Sequence, residues 1–345
     1  MKITKLLQLL FATILLFNIS CSNNDDDTLP VITYENGFLI ANEGNFGKPN
    51  AEVTFVSRDL TFSQNSIFSK NNGTQLGDVL QSVAFNGDKA YLLLNNSNKI
   101  QVVNRYTFKS TGTITDQIDQ PRYVAVTTNN VYVTNDKYNG AKYVSIYKSS
   151  DLSFVKKITF NDAVERIVEA GGNIFVQNAS FGFGNKITYI NTSNNEIQSV
   201  ITLPNGNINR TISYNGNVYV IASEATDSYI YQISNTGNIT KTTTLTGIAN
   251  ATNLQIDGGK YFFSSANKVY SMNMTSNITP TTPIITAVDG GQYYTLYGFS
   301  VVDGKIFTSD VKNFTEDSEI TVYTTSGSKI KSFTTGKGSN GVYLN

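Results

Sequence analysis

Seven copies of one short motif run through the chain. Each has a Gly- or Asn-containing turn, then an aromatic-centred apolar run, then a polar residue. The copies are "NGFLIAN" (Asn36 to Asn42), "GDKAYLLLN" (Gly87 to Asn95), "NNVYVTN" (Asn129 to Asn135) and "GGNIFVQN" (Gly171 to Asn178). "NGNVYVIA" (Asn215 to Ala222), "GGKYFFSS" (Gly258 to Ser265) and "DGKIFTSD" (Asp303 to Asp310) complete the series, with 41 to 53 residues from one copy to the next. Repeats of this length indicate a radial or stacked array of one supersecondary unit.

Each copy has the same neighbours. An alternating strand such as "YVAVTT" precedes the turn, and further strands such as "YVSIYK" and "SFVKKITF" follow. Four short strands per repeat predict an all-β fold, a seven-bladed β-propeller of four-stranded antiparallel blades. One such sheet cannot bury both faces, whereas seven around an axis can, so the repeats form one domain over residues 34–345. A β-solenoid needs shorter and stricter periods, and two stacked sandwiches would not space seven copies evenly. The segment "GKGSNGVYLN" (Gly336 to Asn345) has a strand without a repeat of its own. It is expected to pair with the first blade and remove an open edge.

Forty Phe and Tyr residues without Trp, together with many Val, Ile, Thr, Asn and Gly, suit strands joined by tight turns. With one cysteine, the fold can hold no internal disulfide and depends on its core.

Within a blade the strands run antiparallel from the axis outward. The start of the innermost strand and the end of the aromatic strand therefore share a face. Arg122, Arg166 and Arg210 fall at the starts of three successive inner strands, 44 residues apart each time. Asn42, Asn135, Asn178 and Asp310 stand at the ends of aromatic strands. The irregular loops of that face hold Asn45, Phe46, Tyr138, Phe181, Phe183, Tyr293 and Tyr294. Loop aromatics offer contact area with little rotamer loss, and amides adapt their hydrogen bonds. These residues are the candidate ligand-binding set. Arginine at such a position also serves to tie blades through backbone carbonyls, and asparagine to make turns.

The chain has no histidine, which removes the commonest general base and metal ligand. No G-x-S-x-G nucleophile elbow occurs. Two carboxylates across one glycosidic bond are conceivable from Glu43 and the loop carrying Asp310, Glu316, Asp317 and Glu319. No metal site is expected, no cofactor, and the reading is of a binding protein rather than an enzyme.

The first residues read as a leader. Lys2 and Lys5 precede the 14-residue stretch "LLQLLFATILLFNI", too short to span a bilayer and laid out like a secretory signal. Ile19, Ser20 and Cys21 resemble a bacterial lipobox, although Asn18 stands where leucine is usual. The expectation is a signal over 1–20, lipidation of Cys21, and an acidic tether, "SNNDDD" onward, over 21–33. Lipid chains hold a protein firmly on a membrane. Without Lys2 and Lys5, 24 basic residues face 26 acidic ones, which gives no pull toward nucleic acid.

The lipobox, the acidic tag and "FLIANEGNFGKPNAEVTFVSRD" (Phe38 to Asp59) together resemble the opening of Bacteroidetes surface lipoproteins with a YncE-like propeller. Asn42 to Asn45 and Asn50 to Val53 match the N-E/Q-G-N and N-A-x-[LVI] segments of that group. The group includes BtuG-type lipoproteins, which capture cobalamin on a transporter. The resemblance implies an outer-membrane, lipid-anchored protein facing the exterior. It further implies capture of a small ligand, best guess a corrinoid, for a TonB-dependent outer-membrane transporter. Corrin amides would meet the asparagines, the phosphate one of the arginines, and the flat ring surface the loop aromatics. The alternatives are a ligand-free interaction propeller and a glycan-binding or glycan-active surface protein.

Overall fold

Alternating side chains decide how each four-stranded sheet is used. The aromatic strand of a blade is buried on both faces, as in Gly37–Asn42, where all six residues are buried. The outermost strand is wet: in Glu196–Thr202 only Ile201 is buried. Such sheets can be satisfied only by stacking on neighbours.

The computed structural model describes residues 33–291 and 293–345, and residues Tyr34–Asn345 form one unit. The expected signal segment, Cys21 and all of the tether but Thr33 lie outside the described residues.

Seven four-stranded antiparallel sheets make up the unit. Blade 2 is Leu80–Asn86, Lys89–Leu94, Lys99–Asn104 and Ser110–Ile114, from the axis outward. Blade 3 is Pro121–Val126, Asn130–Asp136, Lys142–Lys148 and Phe154–Phe160. Blade 4 follows with Ile167–Ala170, Asn173–Ser180, Phe183–Asn191 and Glu196–Thr202. Blade 5 is Asn207–Tyr214, Asn217–Ser223, Ser228–Ile233 and Ile239–Leu245, and blade 6 is Thr252–Asp257, Lys260–Ser265, Lys268–Asn273 and Ile285–Thr286. Blade 7 is Phe299–Val302, Lys305–Asp310, Glu319–Thr324 and Lys329–Thr334.

Blade 1 closes the ring. Its inner strand is Ser339–Leu344, hydrogen-bonded to Gly37–Asn42, with Glu52–Ser57 and the short Ser63–Gln64 outside it. The strand read as unpaired in sequence thus completes the first blade. The side chain of Asn345 reinforces this, bonding to the carbonyl oxygens of Tyr34 and Arg105 and accepting from Arg105 Nε at 2.7 Å. Each inner strand lies against the next around the whole circle, including Ser339–Leu344 against Leu80–Asn86. A six-residue helix, Ile67–Asn72, follows blade 1 and buries Ile67 and Phe68 against it; the sequence reading did not foresee it.

The core sits between blades rather than inside any one of them. Among the described residues there are seven hydrophobic clusters, each joining two neighbouring blades. Tyr132 and Ile146 of blade 3 meet Ile174 and Ile190 of blade 4. Phe38 of blade 1 meets Phe307 of blade 7, ring centroids 4.9 Å apart. A fully buried side chain of this size contributes about 1.5–3 kcal/mol by leaving water. Removing a blade would therefore expose two such clusters, so the wedge count is set by packing.

Candidate functional site

The inner strands begin irregularly, and this irregularity builds the site. In five blades the pairing of inner and aromatic strand slips near the start of the inner strand. The slips fall at Gln81, at Arg122–Tyr123, at Asn209, at Asn253–Leu254 and at Asn340. A bulge re-aims a side chain that regular alternation would point elsewhere. Polar groups from several blades are thereby gathered at one end of the axis.

Three adjoining cavities result. The central channel, about 550 Å³, is walled by Glu43, Gln81, Tyr123, Arg166, Arg210, Asn253, Tyr297, Asn340 and Tyr343, among others. A smaller cavity of about 230 Å³ shares Tyr123 and Arg166 with the channel. It also shares Arg122, Glu165, Ser180 and Phe181 with an outer cleft of about 440 Å³, lined by Tyr138, Lys142 and Phe183. The path runs from the axis outward between blades 3 and 4.

The three arginines foreseen from spacing are on this path, in different circumstances. Arg122 is tied to Glu165 of the following blade through Nε at 2.9 Å and Nη2 at 2.7 Å. Desolvation works against its charge, but the Glu165 carboxylate more than offsets this and holds the guanidinium above its usual range. Arg166 lies over the Tyr123 ring, 4.4 Å from its centroid. Among the described residues its guanidinium has no hydrogen-bond or ion-pair partner, while its carbonyl oxygen accepts from Gln177 N–H at 2.8 Å. Arg210 donates from Nη1 to Asn253 Oδ1 at 3.2 Å, while its enclosed Nε has no partner among the described residues. Burial, and then the like charge of Arg166, push the Arg210 guanidinium down to about 9.

Glu43 reaches the channel from the opposite side. Its carboxylate accepts from the Tyr297 hydroxyl at 2.7 Å and from Asn340 Nδ2 at 2.8 Å. Burial raises its pKa, with these two hydrogen bonds opposing. The loop carrying Glu43 is held shut. Asn45 and Asn50 bond to each other through backbone and side chains, and Asn45 Nδ2 donates to the Phe314 carbonyl at 2.9 Å. Gly44 has φ +79°, and a Cβ there would lie 2.7 Å from the Ala51 nitrogen. Only glycine fits such a position without strain. The N-E-G-N segment thus has a local physical role: it seats Glu43.

The amide ring foreseen at the ends of the aromatic strands is internal. Asn42, Asn135 and Asn178 are buried. Asn42 bonds to Thr54 and Ser339, Asn135 to Ser145 and the Val133 carbonyl, and Asn178 to Thr188 and the Ala163 carbonyl. These amides join strands and blades, and their polar groups are already satisfied.

The loop aromatics are in water. Phe46, Tyr138, Phe181, Phe183 and Tyr293 are 72 to 90 % exposed. Tyr138, Phe181 and Phe183 flank the outer cleft. Phe181 (φ +51°) and Gly182 (φ +79°) form the two-residue turn of a long hairpin in blade 4. Both turn residues need positive φ, and a bulky residue rarely adopts it. Tyr294 and Asp310 are elsewhere, in a separate cavity of about 320 Å³ between blades 6 and 7, where Lys312 pairs with Asp310 at 2.6 Å. Asp310 and Glu43 therefore do not share a cavity. Tyr123, Glu165, Tyr297, Asn340 and Tyr343 were not foreseen as site residues. Tyr123 stands nine residues before the aromatic Tyr132, as Arg166 and Arg210 stand nine before Phe175 and Tyr219, so counting from the aromatic strand, rather than between arginines, is the signal that finds it.

No curated protein matches the sequence. In fold the chain is similar to a quinoprotein alcohol dehydrogenase-like protein from Bacteroides thetaiotaomicron, with TM-score 0.70 and 14 % identity, covering 90 % of this chain and 79 % of that one. It is also similar to Kuenenia stuttgartiensis hydrazine synthase, with TM-score 0.59 and 15 % identity over 74 % of this chain and 86 % of that one. A computationally designed protein, Ika8, covers 89 % of this chain and 91 % of its own, with TM-score 0.57 and 8 % identity. Identities this low bear on the fold alone. The family described as a domain of unknown function, DUF5074, matches residues 36–340, and this chain belongs to it.

Proposed function

We propose that this protein is a lipid-anchored outer-membrane surface protein that captures a small ligand, best matched by a corrinoid, for a TonB-dependent outer-membrane transporter. The observation that carries the capture reading is the exposed aromatic cleft between blades 3 and 4, opening inward to a polar channel. Phe181, Phe183 and Tyr138 present flat apolar surface suited to a large ring. Arg122, held rigid by Glu165, and Lys142 supply cationic groups at the wall. Pre-set side chains reduce the ordering that binding would otherwise require. The anchor and address rest on the residues around Cys21 and on the resemblance of the opening segment.

Calorimetry with cobinamide and cobalamin on the purified protein tests this. Tight binding is expected, weakened about 10-fold or more by Phe181→Ala together with Phe183→Ala, as for a central aromatic contact. Absence of heat with both ligands rejects the corrinoid reading.

A second reading has its own support. Phe46 and Tyr293 are exposed but line none of the three adjoining cavities, so part of the aromatic rim suits a protein partner. Ligand-independent pull-down of a transporter, abolished by Phe46→Ser, would favour it.

A further inference from the structure

The central channel contains an unbalanced charge. Among its lining residues the ionisable acid and base groups are Glu43, Arg166 and Arg210, besides tyrosines. Glu43 is engaged by Tyr297 and Asn340. Arg166 rests on Tyr123, and Arg210 holds one neutral amide oxygen. Neither guanidinium has a carboxylate partner among the described residues, although the two feel each other's charge. The Nε of Arg210 is closed off from solvent and unbonded. A buried cation normally has a partner, because desolvating it unpaired is expensive. A guanidinium is planar, carries five donors and prefers a two-oxygen partner. Phenol hydroxyls of Tyr123 and Tyr343 line the same space and can donate to oxygen as well.

We propose that the central channel is a binding site for a compact oxyanion, a carboxylate or phosphate group, clamped between Arg166 and Arg210. The inference goes beyond the capture reading, because it requires neither a corrinoid nor a transporter. The anion is either a free small molecule or the acidic tail of a larger one lying in the outer cleft. Its charge would remove the mutual repulsion of the two guanidiniums and fill the donor position at Arg210 Nε.

The test uses the full-length protein freed of oxyanions by exchange into chloride buffer. Inorganic phosphate and succinate are titrated by calorimetry and by thermal unfolding, with sodium chloride at matched ionic strength as control. At 100-fold excess over Kd, one bound anion raises Tm by about 4 °C for a unit of this size. Arg166→Gln is the main variant: the Arg166 guanidinium makes no hydrogen bond or ion pair among the described residues, and the backbone bond from Gln177 N–H to the residue-166 carbonyl is kept, so the fold should persist while affinity falls at least 10-fold. Arg210→Met should abolish the anion-dependent rise and leave Tm in chloride unchanged or higher, since a repelling, incompletely bonded cation is removed. Phe181→Ala should leave phosphate binding intact, which separates this site from the cleft. Binding of succinate and phosphate by the wild type alone supports a free anion. Binding only of a larger acid, lost in the same arginine variants, supports the tail. The proposal is overturned if neither probe nor any such acid stabilises the wild type. It is equally overturned if Arg166→Gln binds as the wild type does.

Discussion

Glu165→Gln is the sharpest test of how blades 3 and 4 are joined. The Arg122–Glu165 pair is bidentate, with side-chain exposure of 23 % and 14 %. At a charge separation of about 4 Å and an effective dielectric near 20, the attraction is about 4 kcal/mol. Partial exposure and salt reduce this, and about half, ~2 kcal/mol, should survive as coupling. The single variant should cost more, about 3 kcal/mol, because it leaves Arg122 half-buried without its counter-charge. Arg122→Met should destabilise similarly, by stranding Glu165. The double variant should then be less damaging than the sum, since neither charge is left alone. Urea unfolding of all four proteins, read as midpoint and slope, gives the coupling directly. Coupling under about 0.5 kcal/mol would refute the reasoning and would return Arg122 to the pool of arginines free for a ligand.

Two further outcomes follow from the geometry. Burial lifts the Glu43 carboxyl above its ordinary 4.5, so the folded state holds this proton more tightly than the unfolded one. Stability from this group is therefore fully present below the unfolded value and is lost as pH rises through the folded one. Glu43→Gln removes this titrating proton, so its stability relative to wild type should rise with pH above about 4.5; denaturant midpoints that track wild type at every pH would contradict this. Deleting Ser339–Asn345 strips the fully buried strand Gly37–Asn42 of its inner partner and uncovers Phe38 and Phe307. At about 1 kcal/mol per lost backbone bond, plus the burial of Val342, the loss approaches the total stability of an ordinary domain; the truncated chain should aggregate, and a soluble monomer with unchanged Tm would disprove the closure argument.

Much of the fold is legible in the chain because a propeller is a repeated local pattern. Each aromatic strand, such as "NNVYVTN", announces itself by its turn and its apolar run, and spacing supplies the count. The site is legible only in outline. The even 44-residue spacing of Arg122, Arg166 and Arg210 correctly places them near one rim. Counted from the aromatic strands, however, Arg122 stands ten residues before Tyr132 and Arg210 nine before Tyr219, so in blade 3 Tyr123 takes the channel position and Arg122 turns to Glu165. The asparagines Asn42, Asn135 and Asn178 mark strand ends as expected, yet their amides face neighbouring strands and blades instead of a ligand.

Periodicity and composition by themselves determined the all-β class, the sevenfold count and the closing strand. All of these follow from short-range alternation and turn chemistry, which adjacent residues carry. The tertiary structure alone decided which polar groups are satisfied. Pairing across blades depends on bulges that rotate single residues, and on partners such as Arg122 and Glu165 that stand 43 positions apart. No local pattern specifies those meetings, because they arise only when neighbouring blades pack face to face.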